Sequence, residues 1–110
     1  MLSLEPAITA YIKALNTLDH QSALYCFDPE AVVLEKNRIW AGHTAIKRWQ
    51  RQYSQSYIIE VVTAQRHQGE TYLQARLQTS PETVEFRQYV FALQDGKISR
   101  LIVQLENYNQ

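Results

Sequence analysis

The chain has 110 residues, 45% of them apolar and 20% charged, enough for one core and too few for two. Lys+Arg and Asp+Glu balance at 11 each, so no net field draws in nucleic acid or an anionic membrane surface. No apolar run nears the ~20 residues of a membrane helix, and "MLSLEPAITAYIK" has no basic head before an apolar block, so it is not a secretory signal. Cys26 stands alone without a disulfide partner, and the reading is a soluble cytoplasmic protein with one domain over residues 1–110.

In chain order, Ile8, Tyr11, Ile12, Leu15 and Leu18 recur at three- and four-residue steps and predict an amphipathic helix, with Ser3 as its cap and Pro6 in its first turn. Asp19 caps a short second helix, "HQSALYCF", which Asp28-Pro29 stops. The stretch "AVVLEKNRIWAG" then reads as a tight hairpin with Lys36-Asn37 at its tip. Its first strand is apolar on both faces, as a strand covered on both sides would be, and this raises the question of whether Glu35 meets water or points inward. Gly42 ends the hairpin. A third helix beginning at His43 or Thr44 carries Ala45, Ile46, Trp49 and Tyr53 on one face, with Lys47, Arg48 and Arg51 on a solvated one.

The second half predicts four strands: "YIIEVVTAQRH", "ETYLQARLQT", "TVEFRQYVFAL" and "KISRLIVQL", broken at Gly69, Ser80-Pro81 and Asp95-Gly96. Connections this short make the neighbours antiparallel. The whole is an α+β plan with helices packed on one face of a sheet. In the third of these strands Val84, Phe86, Val90 and Ala92 form a largely dry set, while Glu85, Arg87, Tyr89, Phe91 and Leu93 mix aromatics with charge. The mixed set predicts a lined cavity. The dry set predicts a homodimer packed sheet to sheet through Val84, Phe86 and Val90. By parity alone Glu85 and Arg87 fit equally well as solvent-facing residues at the strand's start.

With these elements in place, "YIKALNTLDHQSALYCFDPEAVV", "WAGHTAIKRW" and "YVFALQDGKISRL" together resemble the nuclear-transport-factor-2-like superfamily, which includes SnoaL-like polyketide cyclases and ketosteroid isomerases. The resemblance covers nearly the whole chain and marks architecture more than activity. It implies a cone, a strongly curved and mainly antiparallel sheet wrapped around three helices with a pocket inside, often as a homodimer. In ketosteroid isomerases a first-helix tyrosine is an oxyanion donor, a carboxylate ending the first strand is the base, and a late-strand acid is a second donor. In register these roles fall on Tyr11, on Glu35 and, as a departure, on Tyr89. The longer Glu35 arm and the missing acid weigh against steroid isomerisation itself. Trp40, Trp49, Tyr53, Arg87 and Phe91 are the implied lining. Arg87 could pair with Glu35 or Glu85, or hold an anionic ligand through a bidentate contact. Epoxide hydrolases of the superfamily resemble this mixture of carboxylate and arginine only loosely.

The three histidines and Cys26 show no metal-ligand spacing, Cys26 reads as a buried small hydrophobe, and no glycine-rich phosphate loop or nucleophile elbow occurs. No metal or cofactor is therefore expected. The functional reading is a small-molecule-binding pocket protein for a partly apolar ligand, capable of cofactor-free acid/base chemistry of the isomerase, cyclase or dehydratase kind. The alternative is a non-catalytic homodimeric binding module of the same fold.

Overall fold

A computed structural model describes residues 4–52 and 57–105. Helix α1 spans Pro6–Asn16, with Pro6 at its first position, where a missing N–H costs nothing. Ser3 lies outside the described residues, and the N-cap is Glu5. The Glu5 carboxylate makes no cap. It accepts from the Thr71 hydroxyl at 3.1 Å and ion-pairs with Arg66, which ties the helix start to the sheet. Of the spaced set, Ile8 and Tyr11 are buried and Ile12 and Leu15 pack against the core, but Leu18 does not; Ala14, outside that set, is buried as well. Leu18 is 57% exposed at φ 57°, the left-handed position of a Schellman turn. Its N–H donates to Leu15 O at 3.1 Å, and the Asp19 N–H donates to Ala14 O at 2.9 Å. Closing the helix C-terminus this way takes Leu18 off the helical period.

Helix α2 is His20–Tyr25, capped by Asp19 accepting from Ser22 N–H at 3.1 Å. It is shorter than the sequence suggests. Phe27 already opens strand β1, Phe27–Glu35, so Asp28-Pro29 lies inside the strand and does not stop the helix. Proline is tolerated there because the pairing of β1 shifts register between Phe27 and Val32, where no ladder donor is required. Strand β2 (Arg38–Ala41) and helix α3 (Gly42–Gln52) follow, then β3 (Tyr57–His67), β4 (Glu70–Ser80), β5 (Thr83–Gln94) and β6 (Lys97–Leu105). Three hairpins turn on two residues that are both left-handed, Lys36-Asn37, Gln68-Gly69 and Asp95-Gly96, the conformation that matches the twist of the flanking strands.

The six strands form one mixed sheet in the order β2-β1-β6-β5-β4-β3. All neighbours are antiparallel except β1 and β6, which run parallel. Helix α1 packs on β3 and β6, and α3 on β1 and β2, so the helices lie against one face of the sheet. That face carries Val33, Leu73, Phe91 and Leu101, each 1% exposed or less, and with Ile8 and Ile46 it makes the core. On β5 Tyr89 and Phe91 are buried on the helix side, with Glu85 and Arg87 at the same parity; on the opposite parity Val84 is 45% exposed while Val90 is buried at 6%. The α+β plan, with a mainly antiparallel sheet folded over helices, is the observed architecture. Among the described residues no helix is long and apolar enough to cross a membrane.

Candidate functional site

Glu35 points inward. Alternation along β1 puts Ala31, Val33 and Glu35 on the helix side, and Glu35 as a residue is 9% exposed. One of its oxygens accepts a hydrogen bond from the Trp49 indole Nε1 at 3.0 Å. The His43 ring, near the other end of α3, is bonded to the Phe27 carbonyl at 2.9 Å. The helix is thus pinned to both ends of β1, which fixes where the indole meets the carboxylate.

Strand register brings the remaining groups together. In the parallel ladder Glu35 stands beside Val103, and in the antiparallel one Val103 stands beside Tyr89. Glu35 and Tyr89 therefore share a row two strands apart, about 10 Å between backbones, with one short side chain between them. Tyr89 stacks on Phe91 with ring centroids 6.0 Å apart. Tyr11 reaches the same cluster from α1 and meets Phe27 and Phe91 edge-on at 5.4 and 6.1 Å. Both phenols are nearly sealed, Tyr11 at 2% and Tyr89 at 3% exposure.

Burial sets their chemistry. It pushes the Tyr89 hydroxyl up to about 12; Glu35 and Glu85 act in the same direction, and Arg87 acts against them. Tyr11 is held well above the usual phenol range, first by burial and then by Tyr89, Cys26 and Glu35. Glu35 acts electrostatically on both phenols in the raising direction. Both hydroxyls keep their protons at neutral pH and can donate.

Arg87 does not pair with Glu35. Its guanidinium is 3.0 Å from the Glu85 carboxylate and donates to the Tyr89 hydroxyl. Trp40 is buried at 8% exposure and sits across from Val33 on the helix side. Tyr53, an expected lining residue, lies outside the described residues. Cys26 is buried and donates its thiol to the Ser22 carbonyl at 3.4 Å, and burial pushes that thiol up. Among the described residues, no three of His, Cys, Asp and Glu are grouped as a metal ion requires.

Two residues take a part that the sequence pattern does not signal. Trp49, an expected lining residue, orients Glu35. Arg38 is set directly across from Glu35 by the two-residue turn. Its guanidinium lies over the Trp40 ring, 4.6 Å from the centroid. Glu35 and Arg38 border an open groove of about 700 Å³ where the β1–β2 hairpin meets the end of β6.

No family model matches this sequence, and no curated protein matches it. Solved structures do. A candidate polyketide cyclase from Sinorhizobium meliloti superposes with a TM-score of 0.80 at 24% identity over 92% of this chain and 95% of its own. A nuclear-transport-factor-2-like protein of unknown function from Cytophaga hutchinsonii gives 0.79 at 13% identity over 96% and 92%. A protein from Catenulispora acidiphila with a ketosteroid-isomerase-like fold, solved in complex with trimethylamine, gives 0.77 at 11% over 92% and 85%. At these identities the likeness is one of fold, and it is consistent across all three. The chain has the nuclear-transport-factor-2-like fold that polyketide-cyclase-like and ketosteroid-isomerase-like proteins share.

Proposed function

We propose that this protein binds a small, partly apolar organic molecule and performs cofactor-free proton transfer on it, with Glu35 as the base and Tyr11 and Tyr89 as oxyanion donors. The observation that carries this reading is the buried Glu35 carboxylate, held by Trp49 and grouped with two sealed phenols. Abstraction of a proton beside a carbonyl needs a base near the carbon and donors where charge gathers on oxygen. Glu35 would take the proton, the carbonyl oxygen would become an enolate oxygen held by the phenols, and Glu35 would return the proton to the same or a neighbouring carbon. Small-molecule binding within the fold is supported by the Catenulispora neighbour and its trimethylamine.

The test is solvent exchange. Small ketones and keto acids are incubated with the protein in deuterated water, and loss of the α-proton signal is followed by NMR. Catalysed exchange that Glu35→Gln lowers by about 100-fold or more is the expected result. Exchange that persists unchanged in Glu35→Gln would overturn the role of base. A second reading, a homodimeric binding module, draws support from the exposed Val84 on the outer face of β5, which shares that face with Phe86 and Val90.

A further inference from the structure

The register of the first hairpin creates a charge arrangement that proton transfer alone does not need. Lys36 and Asn37 are left-handed at φ 54° and 64°, so the turn consumes two residues and Arg38 faces Glu35 across the ladder. Cross-strand neighbours of opposite charge ordinarily pair. Here they do not. Glu35 turns inward to Trp49, and Arg38 lies flat over Trp40 at 4.6 Å. The other hairpin and sheet arginines are committed, since Arg66, Arg76, Arg87 and Arg100 each form an ion pair with a glutamate. Among the described residues Arg38 has no carboxylate partner.

The groove beside it combines two chemistries. Its walls include Leu34, Ile102 and Val103, while Lys36 and Arg38 supply positive charge at the rim. Among its described lining residues Glu35 is the single acidic group, and that residue is nearly sealed. A guanidinium stacked on a buried indole has fewer rotamers to lose, so it is a pre-organised anion receptor. Resting on the reading of Glu35 as base, we infer that Arg38 determines specificity at this site and selects substrates that carry a carboxylate on an apolar body. The carboxylate takes the Arg38 fork at the rim, the apolar body covers Val103, and the acidic carbon lies inward toward Glu35. The anion then stands on the arginine side of the groove, away from the buried carboxylate.

Three probes of one shape test this: 2-naphthoate, 2-naphthamide and 2-naphthylmethylammonium, each titrated into nitrogen-15-labelled protein by NMR. Naphthoate should bind about tenfold more tightly than the amide, the worth of one charge-assisted contact, and the ammonium should be the weakest. High salt should narrow the gap. Arg38→Gln should bring naphthoate and naphthamide within about twofold of each other, Arg38→Lys should keep part of the preference, and Lys47→Gln on α3 should leave it intact. A wild-type amide that binds as tightly as naphthoate, or a preference that survives Arg38→Gln, overturns the role of Arg38 and leaves the pocket reading standing. Failure of all three probes to shift hairpin resonances overturns both.

Discussion

Alternation along β1 turns Glu35 to the helix side, and the indole N–H of Trp49 then fixes its carboxylate. A buried carboxylate deprived of a donor loses about 1.5–3 kcal/mol, more than a neutral hydrogen bond would. Trp49→Phe should therefore lower stability in urea denaturation by about 2 kcal/mol at neutral pH. Because the loss falls on the carboxylate, the same change in a Glu35→Gln background should cost less, and a double-mutant cycle should be non-additive by about 1 kcal/mol. An additive cycle would mean that Trp49 acts through packing alone. Much of this residue-level detail could be read in advance. Alternation placed Glu35 on one face with Ala31 and Val33 but could not say which face met the helices. Arg38 was legible by arithmetic, since a two-residue turn at Lys36-Asn37 sets residues 35 and 38 opposite each other. The Trp49 contact was not legible, because it depends on how α3 lies along β1, and no local pattern encodes that placement.

Among the elements, β5 shows how far a period of two can carry an argument. Its mixed set lies against the helices, and Arg87 finds Glu85 and Tyr89 on its own strand and face. The opposite set is uneven, with Val84 45% exposed and Val90 buried at 6%. If a second copy covers this face, Val84→Asp or Phe86→Asp should convert a dimer to a monomer in sedimentation with the far-UV circular dichroism unchanged. At so exposed a site, Val84→Asp should alter monomer stability by no more than about 0.5 kcal/mol. A dimer that tolerates both charges would exclude this face as the interface. The helical period was less reliable at its end. Leu18 continues the apolar spacing of α1 on paper, but a left-handed closing turn removes it from the helix. Likewise Asp28-Pro29 looks like a helix stop and is instead accommodated in a strand at a register shift.

Over the whole molecule, the grouping of Tyr11, Glu35 and Tyr89 depends on strand order, which local sequence does not announce. These residues come from α1, β1 and β5, and Glu35 and Tyr89 fall in one row because β6 bridges β1 and β5 through Val103. Two buried phenols then link stability to alkaline pH. The folded pKa of Tyr89 is raised from 10.0 to about 12, and that of Tyr11 is raised as well. Above pH 10 the unfolded chain releases these protons while the folded chain keeps them. Their contribution is therefore complete below the ordinary phenol pKa and is lost as pH rises through the folded one. Urea midpoints should fall steeply between about pH 10 and 12, and Tyr89→Phe should flatten that slope. An unchanged slope would mean that the Tyr89 hydroxyl meets water.

The position of β6 also has a consequence for how the chain reaches this state. The last strand to be made occupies an interior place in the sheet, and its parallel partner β1 lies some 70 residues earlier, from Phe27–Ile98 to Glu35–Val103. Until it arrives, β1 and its hairpin have no sheet to join and β5 has an open edge. Closing so distant a contact is slow, because the entropy of ordering the intervening chain is lost before the pairing can compensate. Assembly of the molecule is thus a late, all-at-once event. The row that holds Glu35, Val103 and Tyr89 exists only once β6 is in place.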